Sequence, residues 1–294
     1  MNWTIGKNLG VIKINSENYL TIKKTYYLGK EIPQSYIKYW EKEKLGKYIT
    51  PIFKKVNYSS PFFNVKKQKT ISFLPEIIDL VNLHKLIRKR KVFTVLEFGV
   101  GYSSLVIADA LLKNKNEYKK LKIKPEIRKE NMFELHSVDA SKFWINKFMK
   151  QIPKEFTSII KIHYSSAYIS EFNKRICHFF KKLPDIIPDF IYVDGPAAYD
   201  VKGKIRGISF DKMERTVMNG DLLSIEPFFI PGIFILIDGR TNMARFLKNN
   251  FQRNYRYFHN HNNDTHEFEL AESSLGIYNT RMLDYCKLNK KNHK

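Results

Sequence analysis

Glu97, Gly99 and Gly101 fall within VLEFGVGYSS, residues 95–104. An apolar run ends in an acid, and two glycines one residue apart follow it. Glycine at such a point lets the backbone turn sharply and approach a ligand with no Cβ between them. Ser103 and Ser104 then open an apolar stretch of helical character, where free backbone N–H groups point at whatever lies before the helix. The combination suits a nucleotide-like ligand. The acid narrows the choice, because a carboxylate two residues before the first glycine is unfavourable beside a pyrophosphate and suits a cationic amino group. The dinucleotide fingerprint, G-x-G-x-x-G/A with an acid about 20 residues on, is not met. Ser104 stands at its third position, and Asp139 lies 38 residues after Gly101. Nor does any segment read G-x-x-x-x-G-K-[ST].

Three more carboxylates end β-branched or apolar runs: Asp139 in SVDAS, Asp194 in FIYVDGP and Asp238 in FILIDGR. An acid at the position of Asp139 can accept both hydroxyls of a ribose. Tyr199 and Arg240 are the other polar groups close behind Asp194 and Asp238. His163 reads as buried and hydrogen-bonded, His84 as a surface or satisfied histidine, and Trp144 as core.

These residues need a scaffold that brings strand ends together. Strand patterns at VFTVLEF, FELHSVD, SIIKIHY, PDFIYVDG and PGIFILIDG are separated by helical ones at SSLVIADALLK, SKFWINKFMKQI and AYISEFNKRICHFFKKL, and by a broken helical stretch over about 209–229. TNMARFLKNNF continues as a helix. YRYFHNH and HEFELAE close as a hairpin around NND. Alternation of this kind predicts a doubly wound α/β fold: a mostly parallel seven-stranded sheet, helices on both faces and an antiparallel terminal hairpin. Ligands of such sheets sit at the carboxyl ends of the strands, where four of the five parallel strands present a carboxylate. A helix with Ile77, Leu80, Val81 and Ile87 on one face precedes the first strand. Residues 1–72 read as an N-terminal extension, with a helix in IPQSYIKYWEKEKLGK, and residues 73–294 as the main domain. KNKNEYKKLKIKPEIRKENM reads as a charged surface insertion.

No stretch approaches the roughly 20 apolar residues of a membrane span, and the N-terminus has no signal-peptide pattern. The expectation is a soluble, cytoplasmic protein. Two cysteines, Cys177 and Cys286, are too few for a zinc site or a disulfide framework. The formal charge is +22, and residues 1–91 hold 19 Lys and Arg against 6 Asp and Glu. Lys, Asn, Ile, Tyr and Phe all run high, as AT-rich codons dictate, so the surplus reads first as compositional. A nucleic-acid partner is allowed by the charge but not favoured.

LEFGVGYSS, SVDAS, PDFIYVDGP and FFIPGIFILIDG, in this order, resemble motifs of the class I S-adenosylmethionine-dependent methyltransferases over residues 73–280. The resemblance implies that Glu97, Gly99 and Gly101, with Ser103 and Ser104, meet the methionine part of S-adenosylmethionine. It implies that Asp139 and Ala140 lie at the ribose, Ser166 and Ala167 near adenine, and Asp194 between cofactor and acceptor. Many members have an acid where Ser166 stands. The segment after Asp194, DGPAAYD, lacks the Asn/Asp-Pro-Pro-aromatic of enzymes acting on nucleic-acid bases. Asp194 and Asp238 are similar to two ligands in the metal-dependent O-methyltransferases related to catechol O-methyltransferase. Gly239 occupies the place of their Asn and no lysine follows Asp194, so a divalent metal is allowed but not favoured. The expected function is O-methylation of a small molecule or glycan, with Asp194, Tyr199, Asp238 and Arg240 on the catalytic side. RNA methylation and a non-catalytic interaction module are the alternatives.

Overall fold

The computed structural model describes residues 32–48, 76–212 and 214–287, together with four two-residue strands between residues 13 and 31. The chain divides into two compact units, Met1–His84 and Lys85–Lys294. The boundary expected after residue 72 lies outside the described residues.

In the first unit, β1 (Lys13–Ile14) pairs antiparallel with β2 (Leu20–Thr21), and β3 (Tyr26–Tyr27) with β4 (Lys30–Glu31). Helix α1 (Gln34–Lys42) begins directly after Pro33, whose fixed φ suits a helix start, and buries Ile37 and Trp40. Helix α2 (Ile77–Lys89) runs across the unit boundary. His84 is wholly buried, and its Nδ1 is 2.8 Å from the Tyr39 hydroxyl, so it is satisfied.

The second unit contains β5 (Thr94–Phe98), β6 (Glu134–Asp139), β7 (Ile160–Tyr164), β8 (Ala167–Phe172), β9 (Arg175–Phe180), β10 (Phe190–Val193), β11 (Val201–Lys202), β12 (Phe234–Asp238), β13 (Tyr255–Asn260) and β14 (Thr265–Leu270). Its helices are α3 (Tyr102–Lys119), α4 (Lys142–Met149), α5 (Asp221–Ile225), α6 (Thr241–Lys248) and α7 (Gly276–Lys287). Seven strands form one sheet in the order β13-β14-β12-β10-β5-β6-β7. The pairs from β12 through β7 are parallel, while β14 is antiparallel to both its neighbours. This is the expected doubly wound sheet with its terminal hairpin.

The central strands carry no polar alternation because both faces are covered. Every residue of β5 and β10 is buried. Phe98, Val138, Ile191, Val193, Ile235 and Ile237 form the centre of the core, and burying each such side chain contributes about 1.5–3 kcal/mol. At the opposite end of the sheet, Asp189 accepts the backbone N–H groups of Phe93 and Thr94 at 2.8 and 2.6 Å, tying β5 to the entry of β10.

Two helical expectations are overturned. AYISEFNKRICHFF is not a helix but the hairpin β8–β9, which joins β11 in a separate three-stranded sheet. Asn173 and Lys174 turn the chain with φ of 49° and 62°, the left-handed pair that matches the twist of a two-residue hairpin. Ala167, Ile169 and Phe180 point inward to the core. Among the described residues of the stretch 209–229, only α5 and the 3-10 turn Glu226–Phe228 are helical. Pro227, which cannot supply a backbone donor, follows α5 closely. The charged insertion differs in extent: α3 continues to Lys119, and only the following residues are irregular. They are held down by Tyr118 Oη donating to the Pro125 carbonyl at 2.8 Å and Lys129 Nζ to that of Ile187 at 2.9 Å.

Candidate functional site

Parallel pairing fixes where the four carboxylates fall. Adjacent strands β12, β10, β5 and β6 run in the same direction, so Asp238, Asp194, Glu97 and Asp139 come to one edge of the sheet. Asp194 raises the pKa of both Glu97 and Asp139, as a second-order contribution behind burial.

Glu97 is wholly buried. Three hydroxyls donate to its carboxylate: Ser103 and Ser104 from the first turn of α3, both at 2.6 Å, and Ser137 from β6 at 2.5 Å. Burial pushes its pKa up to about 7 against these hydrogen bonds, which favour the anion. Glu97 therefore fastens three elements at the head of β5 and is poised to change charge near neutrality.

Gly99 takes φ of 103°, a conformation in which other residues are strained. Its backbone lies against Gly195: a Cβ on Gly99 would stand 3.2 Å from the Gly195 nitrogen. Gly101 differs. Its φ of 178° is extended backbone open to any residue, and a Cβ there would meet nothing within 4 Å. The second glycine faces open space at the N-terminus of the 18-residue helix α3.

Asp139 is half-buried at the end of β6. Val100 N–H donates to its Oδ2 at 2.9 Å and Ser141 N–H to its Oδ1 at 2.7 Å. Burial pushes its pKa to about 6. It holds the glycine turn against the start of α4, with lone pairs left on both oxygens. Ala140 follows it and packs on the core edge. Ser166 lies between β7 and β8, its carbonyl accepting Lys181 N–H at 3.0 Å. Ala167 is buried as the first residue of β8, opposite Phe180.

On the other side of the switch point, Arg240 bridges two loops. Its guanidinium donates to the carbonyls of Asp194 and, at 3.3 Å, Pro196, and lies 3.6 Å from Asp194 Oδ1. Tyr192 Oη donates to Asp238 Oδ2 at 2.6 Å. Tyr199 is half-buried, and the Trp144 indole hydrogen-bonds its hydroxyl. Burial first, and the Asp200 charge next, raise the Tyr199 pKa, so the phenol stays protonated at neutral pH. His163 is half-buried, its Nε2 3.1 Å from His136 Nδ1.

Sequence reasoning missed His178. It is wholly buried in β9, and both ring nitrogens lack a hydrogen-bond partner. Burial and then the Arg240 charge depress its pKa to about 3, so it is neutral. The helical reading of 167–183 hid it. Alternation of buried and exposed residues through Ala167, Tyr168 and Ile169 is the signal that would have found the hairpin.

No family model and no curated protein matches the chain. Solved structures do. An SAH-bound methyltransferase, PaMTH1, from Podospora anserina is 11% identical with a TM-score of 0.42, over 82% of this chain and 89% of that one. The O-methyltransferase TomG from Streptomyces achromogenes, solved with SAM, is 11% identical with a TM-score of 0.39, over 77% and 96%. An O-methyltransferase from Bacillus cereus in complex with SAH is 9% identical with a TM-score of 0.38, over 81% and 100%. The fold assignment rests on strand order and direction, not on likenesses of this size. With four parallel strand pairs from β12 to β7 and an antiparallel strand next to the edge, the Lys85–Lys294 unit has a doubly wound, Rossmann-like α/β fold.

Proposed function

We propose that the chain is an S-adenosylmethionine-dependent methyltransferase acting on an oxygen of a small molecule or glycan. The observation that carries this reading is the pairing of Gly99 and Gly101. One takes a positive φ that glycine adopts without strain and packs against Gly195; the other opens to empty space before a helix N-terminus, beneath which Glu97 is buried. A ligand with an ammonium group and a nucleoside fits that arrangement. Gly101 gives room for close approach, Glu97 supplies negative charge behind the turn, and Asp139 retains acceptor capacity for ribose hydroxyls.

When bound, S-adenosylmethionine supplies a methyl group already activated on a sulfonium. The chain then has to orient a nucleophile in line and exclude water. The raised pKa of Tyr199 favours an orienting hydrogen-bond donor over a base. Asp194, the most exposed of the four carboxylates at the edge, is the group suited to accept a proton from an acceptor hydroxyl. Arg240 fixes the loop that carries it. Asp238, at the end of β12, accepts from Tyr192 of β10, two residues before Asp194.

Calorimetric titration with S-adenosylmethionine and with NAD, side by side, tests the reading. Binding of the first at micromolar affinity, on the order of −8 kcal/mol, with none of the second is the expected result. NAD binding without S-adenosylmethionine binding would overturn it.

A further inference from the structure

We propose that His259, Asp264 and His266 form a binding site for one divalent first-row transition cation at the tip of the β13–β14 hairpin. The register sets His259 directly opposite His266. Their rings stack with centroids 3.9 Å apart and planes inclined by 23°. Asp264, in the turn with φ of 47°, brings Oδ1 to 3.8 Å from His259 Nε2. One donor atom from each of the three residues lies within 4.8 Å of the other two.

One further observation points to a ligand, and two show how the frame around it is held. His259 Nε2 is buried and has no hydrogen-bond partner, a state that costs about 1–3 kcal/mol unless something fills it. His266 already has a partner at each nitrogen: the Tyr257 hydroxyl at 2.9 Å from Nδ1 and the Thr241 hydroxyl at 3.0 Å from Nε2. Whichever nitrogen turns to a cation, the other keeps a hydroxyl that orients the ring, as in established metal–histidine sites. The turn itself is anchored, because Gly239 N–H donates to the Asp264 carbonyl at 2.8 Å.

Donor chemistry selects the ion. Two imidazoles and one carboxylate suit zinc, cobalt, nickel or ferrous iron, whereas magnesium and calcium take oxygen ligands. Tetrahedral bonds of about 2.0–2.1 Å put neighbouring ligands roughly 3.3 Å apart, so binding requires the stacked imidazoles to turn until their in-plane lone pairs converge and the Asp264 turn to close, leaving one position for water. Asp264 is exposed, which gives the ion a path in. Because Gly239 and Thr241 both touch the trio's residues and flank Arg240, a bound ion would pin the β12–α6 loop to the hairpin.

The test uses the full chain after chelation, titrated with Co2+ followed by visible absorption, and with Zn2+ by equilibrium dialysis. One equivalent of each should bind, with Co2+ giving the ligand-field bands of a nitrogen–oxygen site. His259→Gln and Asp264→Asn should each weaken binding at least tenfold. Neither removes a core side chain, and circular dichroism checks that both fold. His136→Gln, in the separate His136–His163–Glu134 group, should leave binding unchanged. Zinc should raise the melting temperature of the wild type and not of Asp264→Asn. Absence of stoichiometric binding, equal binding by His259→Gln and wild type, or loss of binding in His136→Gln overturns the proposal. None of these outcomes depends on S-adenosylmethionine binding.

Discussion

A Cβ placed on Gly195 would lie 2.8 Å from both the Cα and the nitrogen of Gly99. The turns leaving β5 and β10 therefore meet backbone to backbone, and neither can accept a side chain at the contact. Gly195→Ala is expected to lower stability by about 1–3 kcal/mol, the usual range for overpacking, and to weaken cofactor binding by displacing the Gly99 turn. Thermal melts and titration of the same variant check this. An unchanged melting temperature would mean the two turns can part freely.

Gly101→Val should behave in the opposite way. The backbone there is extended and its Cβ direction open, so stability should hold within about 0.5 kcal/mol. S-adenosylmethionine binding should be lost, because the valine methyls occupy the space in front of α3. If the variant binds normally, that space belongs to something other than the cofactor.

Glu97 gives a pH signature. Its folded pKa of about 7 lies above the ordinary 4.5, so the folded chain holds this proton where the unfolded chain releases it. The stability it contributes is complete below about pH 4.5 and is lost as pH rises through 7. Comparing denaturant midpoints of wild type and Glu97→Gln across this window isolates the effect, on the order of 3 kcal/mol. Parallel pH profiles for the two proteins would refute it. Affinity for an ammonium-bearing cofactor should rise over the same interval, as Glu97 becomes an anion.

Asp139 and Asp194 should separate binding from turnover. Asp139→Ala removes the acceptor of Val100 and Ser141 N–H and should weaken S-adenosylmethionine binding by about 1.5–3 kcal/mol. Asp194→Asn should leave that affinity largely intact and cut single-turnover rates with an acceptor. Equal losses of binding from both would place Asp194 on the cofactor.

The basic surplus of residues 1–91 makes a last prediction. If it is compositional, binding to generic RNA should be weak and vanish near physiological salt. A sequence-selective complex persisting at that salt, measured by fluorescence anisotropy, would move RNA to first place among acceptors.

The sheet was legible because its strands are short, β-branched and bounded by turn residues, and because a carboxylate marks four of their ends. Glu97 was legible as a residue but not as a buried knot, since the three serines that bind it come from two different elements. The hairpin β8–β9 was misread because Ala, Glu and Lys favour helix locally, while Asn173 and Lys174 lack the glycine that usually marks such a turn. Tertiary packing of Ala167, Ile169 and Phe180 outweighed that local preference. The metal trio was invisible for a related reason: His259 and His266 become neighbours only once the register of the last two strands is set.

The β8–β9 hairpin pairs with β11 and with no strand of the large sheet. At its outer end Asn173 and Lys174 stand exposed as the turn itself, while Phe172 packs on the core and the Arg175 guanidinium donates to Asn250 beyond α6. The register that aligns Glu97, Asp139, Asp194 and Asp238 is set in the other sheet. The strand it holds, β11, directly follows Tyr199 and Asp200. A displacement of this small sheet would thus be passed through β11 to Tyr199 and Asp200, while the backbone ladder that aligns the four carboxylates runs through other strands.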